Sequence, residues 1–342
     1  MKGQKRSHTT EDQAPTATAE CFTFGDPEAV LDGHTMMTDL GVWLLDNGRY
    51  YNPPVSLTGI AKLLRANAYH GPILEFKTNM VMRGFTASRV LKRREMKCAV
   101  YDYLVFANTY FQCVRNYYGE VIEMRHLQAI NMRRLKEPGR YAMLTISGEL
   151  VEFQPDEVLH ILNYDVSQKI YGLPGYLGAI QSMLLNEDAT LFRRRYYKNG
   201  AHVGYIFYSS NSGLEEAMRS KIQKAIEGAK GLGNFKNMFL HIPNGAEKDI
   251  QILPVGDFST KDDLEKIKNI SRDDIIAAHR IPPALAAIIP QNMAGSFGDV
   301  TKIDQVYQRN EIMPIQEDLL EVNDVLPPAA HVSFDMSVTP LI

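Results

Sequence analysis

Between Pro155 and Tyr208 the sequence couples a strand-like approach, a YGLPGY turn over Tyr171–Tyr176, and one amphipathic helix that ends in three arginines and Asn199-Gly200. Leu177, Ile180, Leu184, Leu191 and Phe192 recur at helical spacing, and Asp188 interrupts their face. Arg193, Arg194 and Arg195 fall in the last turns, where cations complement the helix dipole. Gly200 can adopt the left-handed conformation that closes a helix. The spacing predicts a rod over Gly178–Lys198, roughly 30 Å long. At 342 residues the chain exceeds one typical domain, so two or more packed units are expected.

Upstream of the rod, Ser56 after Pro53-Pro54 opens a helix with Leu57, Ile60, Leu63 and Leu64 on one face, and Gly71-Pro72 reads as its stop. A second helix is expected over Ala87–Phe106. Arg89, Lys92, Arg93, Arg94 and Lys97 crowd its first half and read as a solvated face. Strands follow at Tyr110–Val114, Val121–Met124, Tyr141–Ile146, Glu149–Phe153 and Val158–Leu162, with Ser147-Gly148 as a hairpin signal. Cys21–Asn163 therefore reads as an α+β unit with a small antiparallel sheet.

Downstream, a strand at Val203–Tyr208 leads to a helix capped by Ser212, with Leu214, Met218, Ile222 and Ile226 at i,i+4 spacing. Two strands, Met238–Ile242 and Ile250–Leu253, complete a module of strand, helix, strand and strand. Thr260/Asp263 and Ser271/Asp274 are two capping pairs, so the next helix is expected to kink or restart at Ser271. Ile281-Pro282-Pro283 ends it. A loop over Pro290–Gly298 precedes a helix from about Asp299 to Leu320, bent at Pro314, and a possible strand at His331–Phe334.

Composition narrows the function classes. Met1–Glu20 has almost no bulky apolar residue and reads as a disordered tail. Cys21, Cys98 and Cys113 are odd in number without CxxC spacing, which points to free, mostly buried thiols in a reducing compartment. No apolar stretch approaches the ~20 residues that span a bilayer, and no signal-peptide core opens the chain. The net charge of −3 argues against a tight grip on DNA phosphates.

Catalytic patterns are missing. Asp156-Glu157 after Pro155 starts like a nuclease motif, but no Glu-x-Lys follows at strand spacing. The acidic pairs Asp262/Asp263 and Asp273/Asp274 read as helix starts, and the nine histidines show no HxH or HxxxH pairing. Gly228, Gly231 and Gly233 match neither phosphate-loop spacing. No catalytic residue, cofactor site or metal site is assigned.

The Pro155–Tyr208 run, together with HRIPPALAAIIPQNMAGSFGDV over His279–Val300, resembles the portal proteins of tailed bacteriophages, in particular the compact P2-like (PBSX-type) portals. The resemblance runs, with gaps, from about Cys21 to Val325. It implies an α+β portal fold: a tail over 1–20, an N-terminal wing over 21–170, a stem helix over 171–200, a clip over 201–256 and returning stem helices over 257–280. A tunnel loop, kinked helix and C-terminal part of the wing would fill 281–342, with a minimal crown or none. It further implies a homo-oligomeric ring of about twelve subunits at one capsid vertex, closed by head-to-tail contacts. Such a ring is a conduit for DNA packaging and ejection. It docks terminase, meets the major capsid and scaffolding proteins, and binds head-completion proteins. Double-stranded DNA passes non-specifically, and no membrane is involved. The protein would reside in the virion, and in the host cytoplasm during assembly.

On this resemblance Gln291, Asn292, Met293, Ser296 and Phe297 face DNA from the tunnel loop, and Lys221, Lys224, Lys230 and Lys236 face terminase from the clip. Two other classes remain in view. A phage DNA-processing enzyme, such as a nuclease component, needs clustered carboxylates away from helix starts. A sequence-specific DNA-binding regulator needs a basic recognition helix with a helix-turn-helix partner.

Overall fold

The computed structural model describes residues 18–23, 49–166, 169–198, 205–209, 236–241, 250–254, 260–286 and 299–335, with backbone alone over 18–23, 195–198, 205–209, 236–241, 250–254 and 260–263. The chain divides into two compact units, Met1–Glu28 with Thr190–Leu264 and Ala29–Ala189 with Glu265–Ile342.

The larger unit contains helices α1 (Leu57–Leu63), α2 (His70–Val81) and α3 (Arg93–Phe106). Ser56 caps α1 as its sequence requires, its Oγ accepting from Gly59 N at 3.1 Å. The Gly71-Pro72 stop is a correction, because these residues lie in the first turn of α2. A first-turn proline forfeits only an amide that has no intrahelical partner. Gly71 is required by contact, since a Cβ there would lie 2.4 Å from Leu64 O. The second expected helix begins at Arg93 rather than Ala87. It buries Met96, Ala99, Val100, Tyr103 and Phe106 and ends on Ala107 in the left-handed conformation (φ 56°).

That turn feeds directly into β4 (Asn108–Arg115), the middle strand of an antiparallel sheet ordered β5 (Val121–Leu127), β4, β9 (Val158–Leu162). Tyr110 and Phe111 are both buried, so both faces of β4 are covered and its apolar run is nearly continuous. A second antiparallel sheet runs β2 (Tyr50–Tyr51), β6 (Met132–Leu135), β7 (Tyr141–Leu144), β8 (Leu150–Glu152). The expected hairpin joins β7 to β8, with Thr145 N donating to Glu149 O and Gly148 at φ 82°. A third pairing joins β3 (Phe85–Thr86) to β13 (Ser333–Phe334).

The rod is α4 (Ile180–Lys198), entered through a 3-10 turn at Gly175–Ala179. Helix α5 (Thr260–Ala278) is continuous, which corrects the expected restart at Ser271. Ser271 is buried within the helix, its Oγ donating to Lys268 O at 3.2 Å and accepting from Asn186 Nδ2 of α4 at 2.8 Å. The hydroxyl therefore serves packing between the helices instead of a cap. Asp299 caps α6 (Val300–Tyr307), accepting from Thr301 N and Lys302 N. A π turn over Gln308–Ile312 and α7 (Met313–Leu319) continue this helical run. Pro314 lies just beyond the π turn, which absorbs the carbonyl clash that a proline imposes on the preceding turn.

In the smaller unit the sheet order is β1 (Thr18–Thr23), β11 (Lys236–His241), β10 (Tyr205–Ser209), β12 (Ile250–Pro254). Strands β10 and β11 are parallel, an arrangement that demands a crossover between them. The helix expected after Ser212 lies outside the described residues. Strand β1 corrects two expectations. Thr18, Ala19 and Glu20 are not tail but pair antiparallel with His241, Leu240 and Phe239, and Cys21–Thr23 join this sheet rather than the larger unit. An edge strand is recruited through its backbone donors and acceptors, so polar side chains do not forbid it.

Candidate functional site

Two places in the larger unit fix how the chain enters and leaves its long helices. The first is the YGLPGY turn. Gly172 lies where a Cβ would meet Ala107 O at 2.1 Å and Asn163 O at 2.7 Å, so only glycine fits. Asn108 clamps the turn with all four of its hydrogen-bonding positions. Its Nδ2 donates to Phe106 O (2.6 Å) and Gly172 O (2.9 Å), and its Oδ1 accepts from Gly172 N (2.8 Å) and His160 Nε2 (3.0 Å). Burial holds His160 neutral, its pKa pushed down to about 3, with the Arg134 charge adding to the effect. Tyr171 Oη donates to Tyr51 O at 2.6 Å and accepts from Arg134 N at 2.9 Å, tying the turn to the second sheet.

The second place is the base of the segment between Ala286 and Asp299. Just after α5, Arg280 adopts φ 55° and Ile281-Pro282-Pro283 ends the helical path. His279 is buried, and its Nε2 lies 2.8 Å from His70 Nδ1 at the start of α2. Tyr176 packs edge-on against His70 at a centroid distance of 4.7 Å. Burial lowers the His70 pKa to about 4, and burial, then His70 and Lys77, lower that of His279 to about 3. Both rings are therefore neutral at pH 7, one donating and one accepting. His70 Nε2 is buried with no hydrogen-bond partner among the described residues.

Lys77 of α2 reaches both flanks of the segment. Its Nζ donates to Glu311 Oε1 at 2.5 Å on the returning side and to His279 O at 3.4 Å on the departing side. Desolvation lowers the Lys77 pKa, and the Glu311 carboxylate opposes that shift. Arg280 approaches the other Glu311 oxygen at 3.7 Å, but its own side chain is mostly exposed. Gln316 adds a bond from Nε2 to Val81 O at 2.9 Å. A cavity of about 240 Å³ opens among Lys77, Tyr103, His279, Glu311 and Asp318. Helix α2 is thus a fixed post to which both the end of α5 and the π turn before α7 are tied.

The residues are neutral, buried or mutually satisfied, and among the described residues no group of three or more His, Cys, Asp or Glu side chains could hold a metal ion. Glu157, half of the nuclease-like pair, accepts from Gln112 Nε2 and Gln154 N (both 2.7 Å) and closes the turn before β9. The basic run before and within α3 is partly structural, because Arg93 donates to Phe85 O and Met82 O and so caps the end of α2.

Of the site residues expected from sequence, Gln291, Asn292, Met293, Ser296 and Phe297 lie outside the described residues, as do Lys221, Lys224 and Lys230. Lys236 opens β11, with its backbone opposite Thr23 of β1. The His70, Lys77, His279 and Glu311 cluster was not singled out from sequence. Lys77 and Glu311 alone lie 234 residues apart, and no spacing rule joins the four.

Comparison with known proteins gives this architecture its context. Residues 87–335 match the family model for the phage portal protein. The chain belongs to the phage portal protein family. It is 39% identical over 325 residues to the probable portal protein of Escherichia phage P2, covering 94% of each chain. It is 38% identical over 287 residues to that of Haemophilus phage HP1, covering 82% of this chain and 83% of the other. In fold it is similar to a chain in the neck of a native gene transfer agent particle with C12 symmetry. The TM-score there is 0.56 at 15% identity, covering 90% of this chain and 89% of that one. The function is that of a bacteriophage portal, a capsid component of the virion that forms a ring at one vertex and serves as the conduit for DNA packaging and ejection. Portal proteins are structural, and no described helix is long and apolar enough to cross a membrane.

Proposed function

We propose that this portal works as a ring of about twelve copies in which head-to-tail contacts close. In this reading α4 and α5 are the stem, and the sheet β1-β11-β10-β12 belongs to the clip. The clip binds terminase through Lys221, Lys224, Lys230 and Lys236. The 287–298 segment, with Gln291, Asn292, Met293, Ser296 and Phe297, brushes DNA. Major capsid, scaffolding and head-completion proteins bind the same ring, which assembles in the host cytoplasm. ATP hydrolysis belongs to the motor, and this chain performs no catalysis.

The observation that supports it best is the tether of the end of α5 and of the π turn to α2 through Lys77, His279 and Glu311, on either side of the 287–298 segment. A segment that meets moving DNA must be compliant in its middle and immobile at its base, and charge-free residues there avoid phosphate contacts that stall sliding. Substituting Asn292→Lys with Ser296→Lys should leave ring assembly intact and slow packaging, most strongly at low salt. Normal packaging rates across low and moderate salt would remove this segment from the channel.

A further inference from the structure

The β4–β5 hairpin carries an unusual tip. Tyr117 and Tyr118 are 100% and 87% exposed, edge to face at 6.1 Å, and Ile122 on the following strand is also exposed. The tip is nevertheless braced by hydrogen bonds within the turn. Asn116 Oδ1 accepts from Tyr118 N and Glu120 N, its Nδ2 donates to Glu120 Oε2, and Arg115 donates to Gly119 O. A chain that only needed a turn here would gain nothing from two solvated aromatic rings. Preorganised, exposed tyrosines are the composition of interface anchors, because little entropy is lost when they dock.

At the far end of β5 lies a groove of about 790 Å³ between α2 and α3, with His126 and Gln128 of that strand's end on its wall. Glu75, Arg94, Lys97, Cys98 and Tyr101 supply the lining that matters. Among the described residues Arg94 and Lys97 have no ion-pair partner, and both are exposed. Knob and groove therefore sit about 20 Å apart on one stiff strand, at roughly 3.3 Å per residue.

We propose that the Tyr117–Tyr118 knob of one copy of this chain docks in the α2–α3 groove of the next. The occupant is a second copy because the two surfaces complement each other. Phenol rings can lie beneath Lys97 and Arg94, and a phenol hydroxyl can donate to Glu75. Glu120 at the tip meets the two cations. Because knob and groove are different patches at opposite ends of a rigid element, the contact is heterologous and propagates around a ring instead of stopping at a dimer. Two tyrosines bury roughly 300–500 Å² between them, which makes the knob an anchor within a wider interface. The inference rests on the ring reading above.

Cys98 makes the contact testable, since it is an exposed free thiol in the groove whereas Cys113 is buried. Ring size would be measured by mass photometry for the full-length wild type, for Tyr118→Cys and for Tyr118→Cys combined with Cys98→Ser. Each would then be oxidised with copper phenanthroline at mildly alkaline pH, because burial and the nearby Glu95 and Asp102 raise the Cys98 pKa. Tyr118→Cys should give a ladder of covalent multimers on non-reducing gels, and the Cys98→Ser partner should abolish it. In parallel, Tyr117→Ala with Tyr118→Ala should cut ring yield at least tenfold without moving thermal unfolding, since neither ring is buried. Full-size rings with no ladder overturn the proposal and leave the portal ring standing. Rings that form normally from the double alanine variant but fail to enter capsids also overturn it and make the tip a capsid contact. A wild-type chain that stays monomeric sinks the ring reading and this inference with it.

Discussion

The YGLPGY junction and the base of the 287–298 segment do the same mechanical work with different chemistry. Both pin a change of chain direction beside a long helix. At the junction the restraint is steric and neutral, made of Gly172 against two carbonyls and one asparagine with every valence used. At the loop base it is electrostatic, made of a buried Lys77–Glu311 pair and two neutral imidazoles. A steric lock resists any shift, whereas a charged lock holds only while its protonation pattern holds. The junction therefore suits a permanent joint. The loop base suits a joint whose stiffness can be altered.

The largest effect that would break this contrast lies at the junction. Gly172→Ala puts a methyl group 2.1 Å from Ala107 O, and neither the αL turn at Ala107 nor β9 can retreat without losing Asn163 N to Ala107 O. A loss above about 4 kcal/mol is expected, from strain and a broken buried network together. Denaturant unfolding of the variant checks it. A loss below about 1 kcal/mol would mean the turn is pliable and the comparison false.

At the loop base Lys77→Met leaves the Glu311 carboxylate buried beside a methyl group, which costs about 3–5 kcal/mol. Adding Glu311→Gln removes the stranded charge and should recover most of that loss. A double-variant cycle without such coupling would show that Lys77 contributes packing and no electrostatics.

These two sites were unequally visible in the sequence. The turn announced itself through Gly and Pro, and β9 occupies its expected span because apolar residues there are bounded by a Pro-Asp turn. Helix α2 was hidden because Gly71-Pro72 is a stop signal by composition. Only the 2.4 Å approach to Leu64 O reveals why a glycine opens a helix there. Ser271 carried a cap signature, but its burial against Asn186 depends on where α4 lies, which no local rule supplies. Strand β1 was missed because pairing through the backbone leaves little trace in side-chain type. The loop base depends on contacts such as His70 with His279, 209 residues apart, and so lies beyond any periodicity. The DNA-facing and terminase-facing residues came from the family resemblance, not from residue chemistry.

Acid separates the two regions less sharply, and usefully so. His70, His160 and His279 all have pKa values below the ordinary 6.5, at about 4, 3 and 3. The unfolded chain therefore takes up protons first as pH falls, so stability is complete above 6.5 and drains away from 6.5 toward about 3. Unfolding free energy should decline over that window. His279→Gln should flatten part of the slope and leave the shares of His70 and His160. An unchanged slope in that variant would assign the acid response to those two residues and none of it to His279.

The smallest expected effect is the most discriminating for the loop base. Arg280 and Lys77 both face Glu311, but the Arg280 side chain is 77% exposed with its nitrogen 3.7 Å away, whereas Lys77 is buried at 2.5 Å. An exposed pair of that geometry contributes about 0–1 kcal/mol, and solvent screening favours the low end. Arg280 also occupies left-handed backbone at φ 55°, which strains any residue with a Cβ. Arg280→Gly gives up the weak ion pair and relieves the strain, so stability should stay level or rise by up to about 1 kcal/mol. Arg280→Val keeps the strain and adds a branched Cβ, so it should lose about 1 kcal/mol or more. If glycine is the worse of the two, the guanidinium matters more than the backbone, and the charged lock extends to the surface instead of ending at Lys77.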